Sequence, residues 1–132
     1  MGPIKTIYLV DDDQDDRFFI KEAIQGADIS LQIVEVENGL DLLDLIQKQE
    51  APIASLILLD MNMPKMNGLE TVSAIRSYPA LSAIPVIMIS TSSNATLIAT
   101  AYKAGVSGFL TKPSTFEEFN LLAREIVVNF LD

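Results

Sequence analysis

Four residues near the middle of the chain, Leu56-Ile57-Leu58-Leu59, carry no polar alternation and run straight into an acid, Asp60. A strand with one face in water alternates apolar and polar residues, whereas a strand covered on both faces does not. The run therefore reads as a central strand of a parallel sheet with helices on either side. Asp60 stands at its carboxyl end, just before a loop containing Pro64 and Gly68. Ligands collect at such strand ends in open α/β sheets, so Asp60 is the first candidate for chemistry.

The rest of the chain repeats the pattern. Residues 5–11, 31–36, 56–60, 85–90 and 108–111 read as five strands. Between them, residues 14–25 form a helix with Phe19, Ile20, Ala23 and Ile24 on one face and Gly26 just past its end. A second helix, about 40–49, buries Leu42, Leu43 and Ile46 and is stopped by Pro52. The third covers 68–77; the fourth starts from a cap at Ser92, Ser93 or Asn94, ends near 104 and is closed by Gly105. The last follows Thr115, with two Glu in its first turn and Phe116, Phe119, Leu122 and Ile126 on one stripe. Five strand-helix units in succession predict an α/β fold, a doubly wound five-stranded parallel sheet flanked by five helices.

A length of 132 residues at 49% apolar content suits one domain, expected to span 1–132. No apolar stretch reaches the roughly 18 residues of a membrane span, and the first residues lack a signal peptide's apolar core. A cytoplasmic protein is expected, and the absence of cysteine suits a reducing compartment. That absence excludes disulfides and thiol catalysis, and the absence of histidine removes the commonest general base. Eighteen acidic against nine basic residues, a net charge of −9, argue against direct contact with nucleic acid.

The alternation brings the ends of strands one, three, four and five to one edge, and with them Asp11, Asp12, Asp60, Ser90 and Lys112. Crowded carboxylates repel unless a cation lies between them. With oxygen ligands and neither His nor Cys, Mg2+ is the natural cation, and it accepts phosphate oxygens as further ligands. Asp60 then serves as nucleophile toward a phosphoryl group, Lys112 neutralises its oxygens, and Ser90 donates a hydrogen bond. Asp13 is placed to cap the first helix, with Asp15 and Asp16 in the favourable first turn.

These motifs are Tyr-Leu-Val-Asp11-Asp12-Asp13, Leu-Leu-Asp60-Met-Asn62-Met-Pro64-Lys-Met-Asn-Gly68, Ile89-Ser90 and Gly108-Phe109-Leu-Thr-Lys112-Pro113. In that order they resemble the receiver domain of two-component response regulators across essentially the whole chain. The resemblance implies a sheet order of 2-1-3-4-5 and Asp60 as phosphoacceptor. It further implies Mg2+ held by Asp12, Asp60 and the backbone carbonyl of Asn62, with Asp11 acting mainly through a metal-bound water. Ser90 and Phe109 match the switch pair, Lys112 the phosphate-binding lysine, and Lys112-Pro113 the usual cis peptide. Phe109 stands where many members carry Tyr, and Asn67, a solvent-facing loop position in the family, where Asp is frequent. Met61 and Ser92 match positions that influence how fast the phosphoryl group hydrolyses.

By the same resemblance the chain is not a conventional enzyme but a stand-alone switch with no output domain. It takes its phosphoryl group from a sensor histidine kinase or histidine phosphotransfer protein and signals to a downstream protein through helix four, strand five and helix five. That face has its own signal: residues 91–110 carry one charge, Lys103, and Leu121, Val128 and Leu131 fall off the last helix's core stripe. A partner or a second copy of the chain fits it. Two other classes share parts of the pattern. An aspartyl phosphohydrolase typically places a second Asp where Asn62 stands, and a phosphorylation-independent adaptor would dispense with an acid or the lysine.

Overall fold

In a computed structural model of the protein, which describes residues 5–28, 30–48 and 53–131, strands and helices alternate throughout. The strands are β1 (Thr6–Val10), β2 (Gln32–Val36), β3 (Leu56–Asp60), β4 (Val86–Ser90) and β5 (Gly108–Thr111). The helices are α1 (Gln14–Ala27), α2 (Gly39–Gln47), α3 (Gly68–Arg76), α4 (Ala95–Ala104) and α5 (Phe116–Ile126). A short 3-10 turn, Pro79–Leu81, precedes β4, and a π turn, Val127–Leu131, follows α5. All strand pairs are parallel and the order is β2-β1-β3-β4-β5, as expected.

Side chains alternate across each strand, so the unbroken apolar runs feed two separate cores. Tyr8, Val10, Ile57, Leu59, Val86 and Met88 face one side and meet Leu42, Val72, Ile75 and Ala101. Ile7, Leu9, Leu56, Leu58, Ile87 and Ile89 face the other and meet Ile20, Ile24, Leu122, Ala123 and Ile126. All residues of β1, β3 and β4 are buried, whereas β2 at the sheet edge is mostly open. The strand order reverses between β1 and β3, the switch point at which such sheets form their crevice.

Local caps set the helix starts. Asp13 accepts from the backbone N–H groups of Asp15 and Asp16, and Thr115 accepts from that of Glu118. Of the three candidates before α4 the cap is Asn94, which accepts from the Leu97 N–H at 2.9 Å. Gly105 ends that helix at φ 120, a left-handed conformation that favours glycine. Asn67, rather than facing solvent in a loop, is a half-buried N-cap that forms a capping box with Glu70 at the start of α3. Asn94→Ala is expected to cost about 1 kcal/mol, read as a drop of a few degrees in thermal unfolding.

Four further expectations are corrected. Gly26 lies inside α1, because the helix runs on to Ala27 and the Asp28 N–H still donates to the Ile24 carbonyl. Phe116 is 78% exposed: as the first helical residue of α5 it lies at the rim, over a shallow groove between α1 and α5. Leu131 is buried, because the π turn adds a residue to the last coil and swings that side chain back into the core beneath α1 and α5. Leu121 and Val128 do face outward. The Lys112-Pro113 peptide is trans, the isomer intrinsically favoured by about 0.5–1 kcal/mol, and there is no cis peptide among the described residues. Pro52, expected to stop α2, lies outside the described residues.

Candidate functional site

The ends of β1, β3 and β5 bring four charged side chains together. Carboxylate oxygens of Asp11, Asp12 and Asp60 lie within 4.8 Å of one another. The Lys112 ammonium sits 2.8 Å from Asp16, 3.3 Å from Asp11 and 3.5 Å from Asp60. Asp11 and Asp60 are buried, 2% and 4% exposed, while Asp12 faces solvent and leaves the cluster open on one side.

The backbone holds each group in place. Asp11 donates its N–H to the Val36 carbonyl at 3.0 Å, and its carboxylate accepts from the Asp13 N–H at 2.9 Å. The buried Arg17 guanidinium donates to the Asp11 carbonyl and reaches Glu35 at 3.4 Å. Beyond Asp60 the loop turns back on itself, Met61 donating to the Ile89 carbonyl and Gly68 to the Met61 carbonyl. Gly68 is required there, since a Cβ would lie 2.9 Å from the Asp60 carbonyl oxygen and from the Met61 Cα. The Lys112 N–H donates to the Ser90 carbonyl at 2.8 Å, tying the lysine to the end of β4.

Electrostatics follow from this crowding. Burial, then the neighbouring Asp11 charge, push the Asp60 carboxyl up to about 7, against the pull of Lys112 and of the Asn62 N–H. Burial also raises Asp11, opposed by the Asp13 N–H and Lys112. For Lys112, burial disfavours the charge, but the hydrogen bond to Asp16 and the charges of Asp11 and Asp60 outweigh it and hold the ammonium above its ordinary range. Negative charge is therefore in excess. Three hard oxygen donors around one point, two of them raised by burial, fit a divalent cation such as Mg2+.

Ser90 is fully buried in the wall of the site, its hydroxyl accepting from the Ser92 N–H at 3.1 Å rather than reaching Asp60. Asn62 is exposed on the loop after β3. Phe109 lies one strand further out, paired with Met88 and half-buried against the α2–α4 core. Asp16, read from sequence only as a favourable charge in the first turn of α1, is the nearest partner of Lys112. Its place in the first turn of α1, just past the Asp13 cap, brings it close to the end of β1, but nothing local in the sequence marks the lysine as its partner.

The response regulator receiver domain family model matches residues 7–124. The chain is 32% identical over 121 residues to the response regulator Rcp1 of Synechocystis sp., covering 89% of this chain and 82% of that one. It is 35% identical over 111 residues to a chemotaxis protein CheY homolog of Campylobacter jejuni, covering 83% and 82%. Among solved structures, a phosphorylated cyanobacterial phytochrome response regulator, RcpA, superposes with a TM-score of 0.90 at 33% identity, covering 98% of this chain and 96% of that one. The Mn2+-bound form of Rcp1 superposes with a TM-score of 0.87 at 30% identity, covering 97% and 95%.

Proposed function

The chain belongs to the response regulator receiver domain family of two-component signalling, and on that premise we propose that it is a phosphorylation-dependent switch whose acceptor is Asp60. The observation that carries this reading is the buried Asp60 carboxylate facing the Lys112 ammonium at 3.5 Å within a triad of acids. Asp11, Asp12 and Asp60, with the Asn62 backbone carbonyl, are the residues that would hold Mg2+. When bound, Mg2+ offsets the carboxylate repulsion and the charge on the phosphoryl oxygens.

An Asp60 carboxylate oxygen attacks phosphorus as the bond to the donor breaks, giving an acyl phosphate. With a phosphohistidine donor the P–N bond breaks and the imidazole leaves, taking a proton from solvent. These 132 residues contain no histidine, so such a donor lies outside them, as on a sensor kinase or a phosphotransfer protein. Lys112 pairs with one phosphoryl oxygen. Ser90 gives up the Ser92 N–H and donates its hydroxyl proton to another oxygen. That rotation frees space toward β5, Phe109 moves further inward, and the surface of α4, β5 and α5 changes shape.

Support for that surface as the output face comes from exposed Tyr102, Leu121 and Val128, and from a groove lined by Phe109, Leu121 and Glu118. It receives a downstream protein or a second copy of the chain. The chain is a switch rather than a conventional enzyme, though it assists its own phosphorylation. Its cysteine-free composition suits the cytoplasm, and no helix among the described residues is long and apolar enough to cross a membrane.

The test is transfer of radiolabelled phosphoryl from acetyl phosphate in Mg2+, in which the P–O bond breaks and acetate leaves. One phosphoryl group per chain, lost in Asp60→Asn, is the expected result. Multiple turnover would instead identify a phosphohydrolase, and no labelling an adaptor. Labelling that survives Asp60→Asn would remove the site assignment.

A further inference from the structure

The Lys112 ammonium, with its three N–H donors, lies within 3.5 Å of three carboxylates. The closest contact is to Asp16 at 2.8 Å, and the longest is to Asp60 at 3.5 Å. Asp16 is not one of the three acids clustered for a cation. It enters the site from α1, an element that supplies none of them, and its backbone is pinned because its N–H donates to the Asp13 cap at 3.1 Å. The lysine is pinned as well, through its N–H to Ser90. With both backbones fixed and the lysine side chain 13% exposed, this pair differs from the loose surface bridges that contribute little.

Resting on the reading of Asp60 as acceptor, we propose that Asp16 is a positioning residue that holds Lys112 in reserve and so sets how strongly the site takes up a phosphoryl group. A phosphoryl group brings close to two negative charges. For Lys112 to approach one of its oxygens to the roughly 2.7–2.9 Å of a charge-assisted hydrogen bond, its contact with Asp16 must loosen. The Asp16 carboxylate thus competes with the incoming anion for the same ammonium. Removing its charge leaves the cation ligands and the acceptor intact while releasing Lys112 toward Asp60.

The probe is beryllofluoride with Mg2+, a phosphoryl mimic that needs no covalent donor, followed by fluorine NMR as a binding affinity. Asp16→Asn is expected to tighten binding about threefold to tenfold, with Asp16→Glu returning it toward the wild-type value. Asp15→Asn is the control for charge alone, since Asp15 lies in the same turn, is exposed and is not a partner of Lys112. It should leave affinity within twofold. Unchanged or weaker binding in Asp16→Asn, or an equal gain in Asp15→Asn, overturns the proposal. If the wild-type chain takes up no beryllofluoride, the acceptor reading of Asp60 fails and this one with it. Uptake by wild type without a gain in Asp16→Asn removes this proposal alone.

Discussion

Lys112→Met is expected to destabilise the metal-free protein by about 3 kcal/mol at pH 8, lowering the unfolding midpoint by on the order of 10 °C. The substitution keeps most of the side chain's apolar volume and removes only the ammonium. What it leaves is Asp11 and Asp60, both buried, and Asp16, with no counter-charge. Unpaired buried carboxylates take up protons when they can, so the loss should shrink at pH 5.5, where the Asp60 carboxyl, already raised to about 7, is largely neutral. Added Mg2+ should recover much of the loss at pH 8. Urea denaturation of both proteins at the two pH values, with and without Mg2+, measures all of this. An equal loss at both would mean that Lys112 is not the counter-ion of the cluster.

The raised Asp60 carboxyl leads to a second large effect. The folded state holds this proton more tightly than the unfolded chain, whose carboxyl titrates near 3.8. The stabilisation from that difference is fully present below about pH 4, declines as pH rises, and is gone above about 7. Asp60→Asn should abolish this slope. Above pH 7 it should also make the metal-free protein more stable than wild type by about 1 kcal/mol, a figure reduced for water reaching the open side of the site. A cation must displace the same proton, so apparent Mg2+ affinity should rise about tenfold per pH unit up to about 7 and then level off. Thermal unfolding from pH 5 to 8.5 reads both effects, since the Mg2+-induced rise in midpoint tracks affinity. A Mg2+ response independent of pH over that range would show that Asp60 is ionised throughout.

The sheet was legible because parallel strands buried on both faces must be apolar on both, a demand that Leu56 to Leu59 and Val86 to Ile89 meet without exception. The cluster was legible for a related reason: once strand ends are placed, the polar residues that interrupt apolar runs have one edge to occupy. What escaped depends on contacts distant in sequence. Glycine is a common helix stop, yet a Cβ at Gly26 would meet nothing within 4 Å and the backbone ladder simply continues. Leu131 is turned inward by a π turn that a fixed helical period cannot anticipate. Phe116 keeps the spacing of the core stripe but sits at the helix start, on the rim of the groove between α1 and α5. The Asp16–Lys112 pair joins the first helix to the last strand, and no local pattern announces a partner about a hundred residues away.

The place of β1 in the sheet has a consequence for how the molecule is made. This first strand is paired on both sides, with β2 and with β3, and its register with β3 joins Ile7 to Leu56 across about fifty residues. Closing so long a loop is slow compared with forming a local hairpin or helix. Asp11 and Asp60 therefore meet only once the centre of the sheet has assembled, and Lys112 arrives later still, at the end of the edge strand β5. A chain emerging from the ribosome carries the acids long before it carries the ammonium that neutralises them. Pairing of β5 with β4 is what brings that ammonium to the acids. Completion of the sheet and completion of the charge cluster thus depend on the same strand.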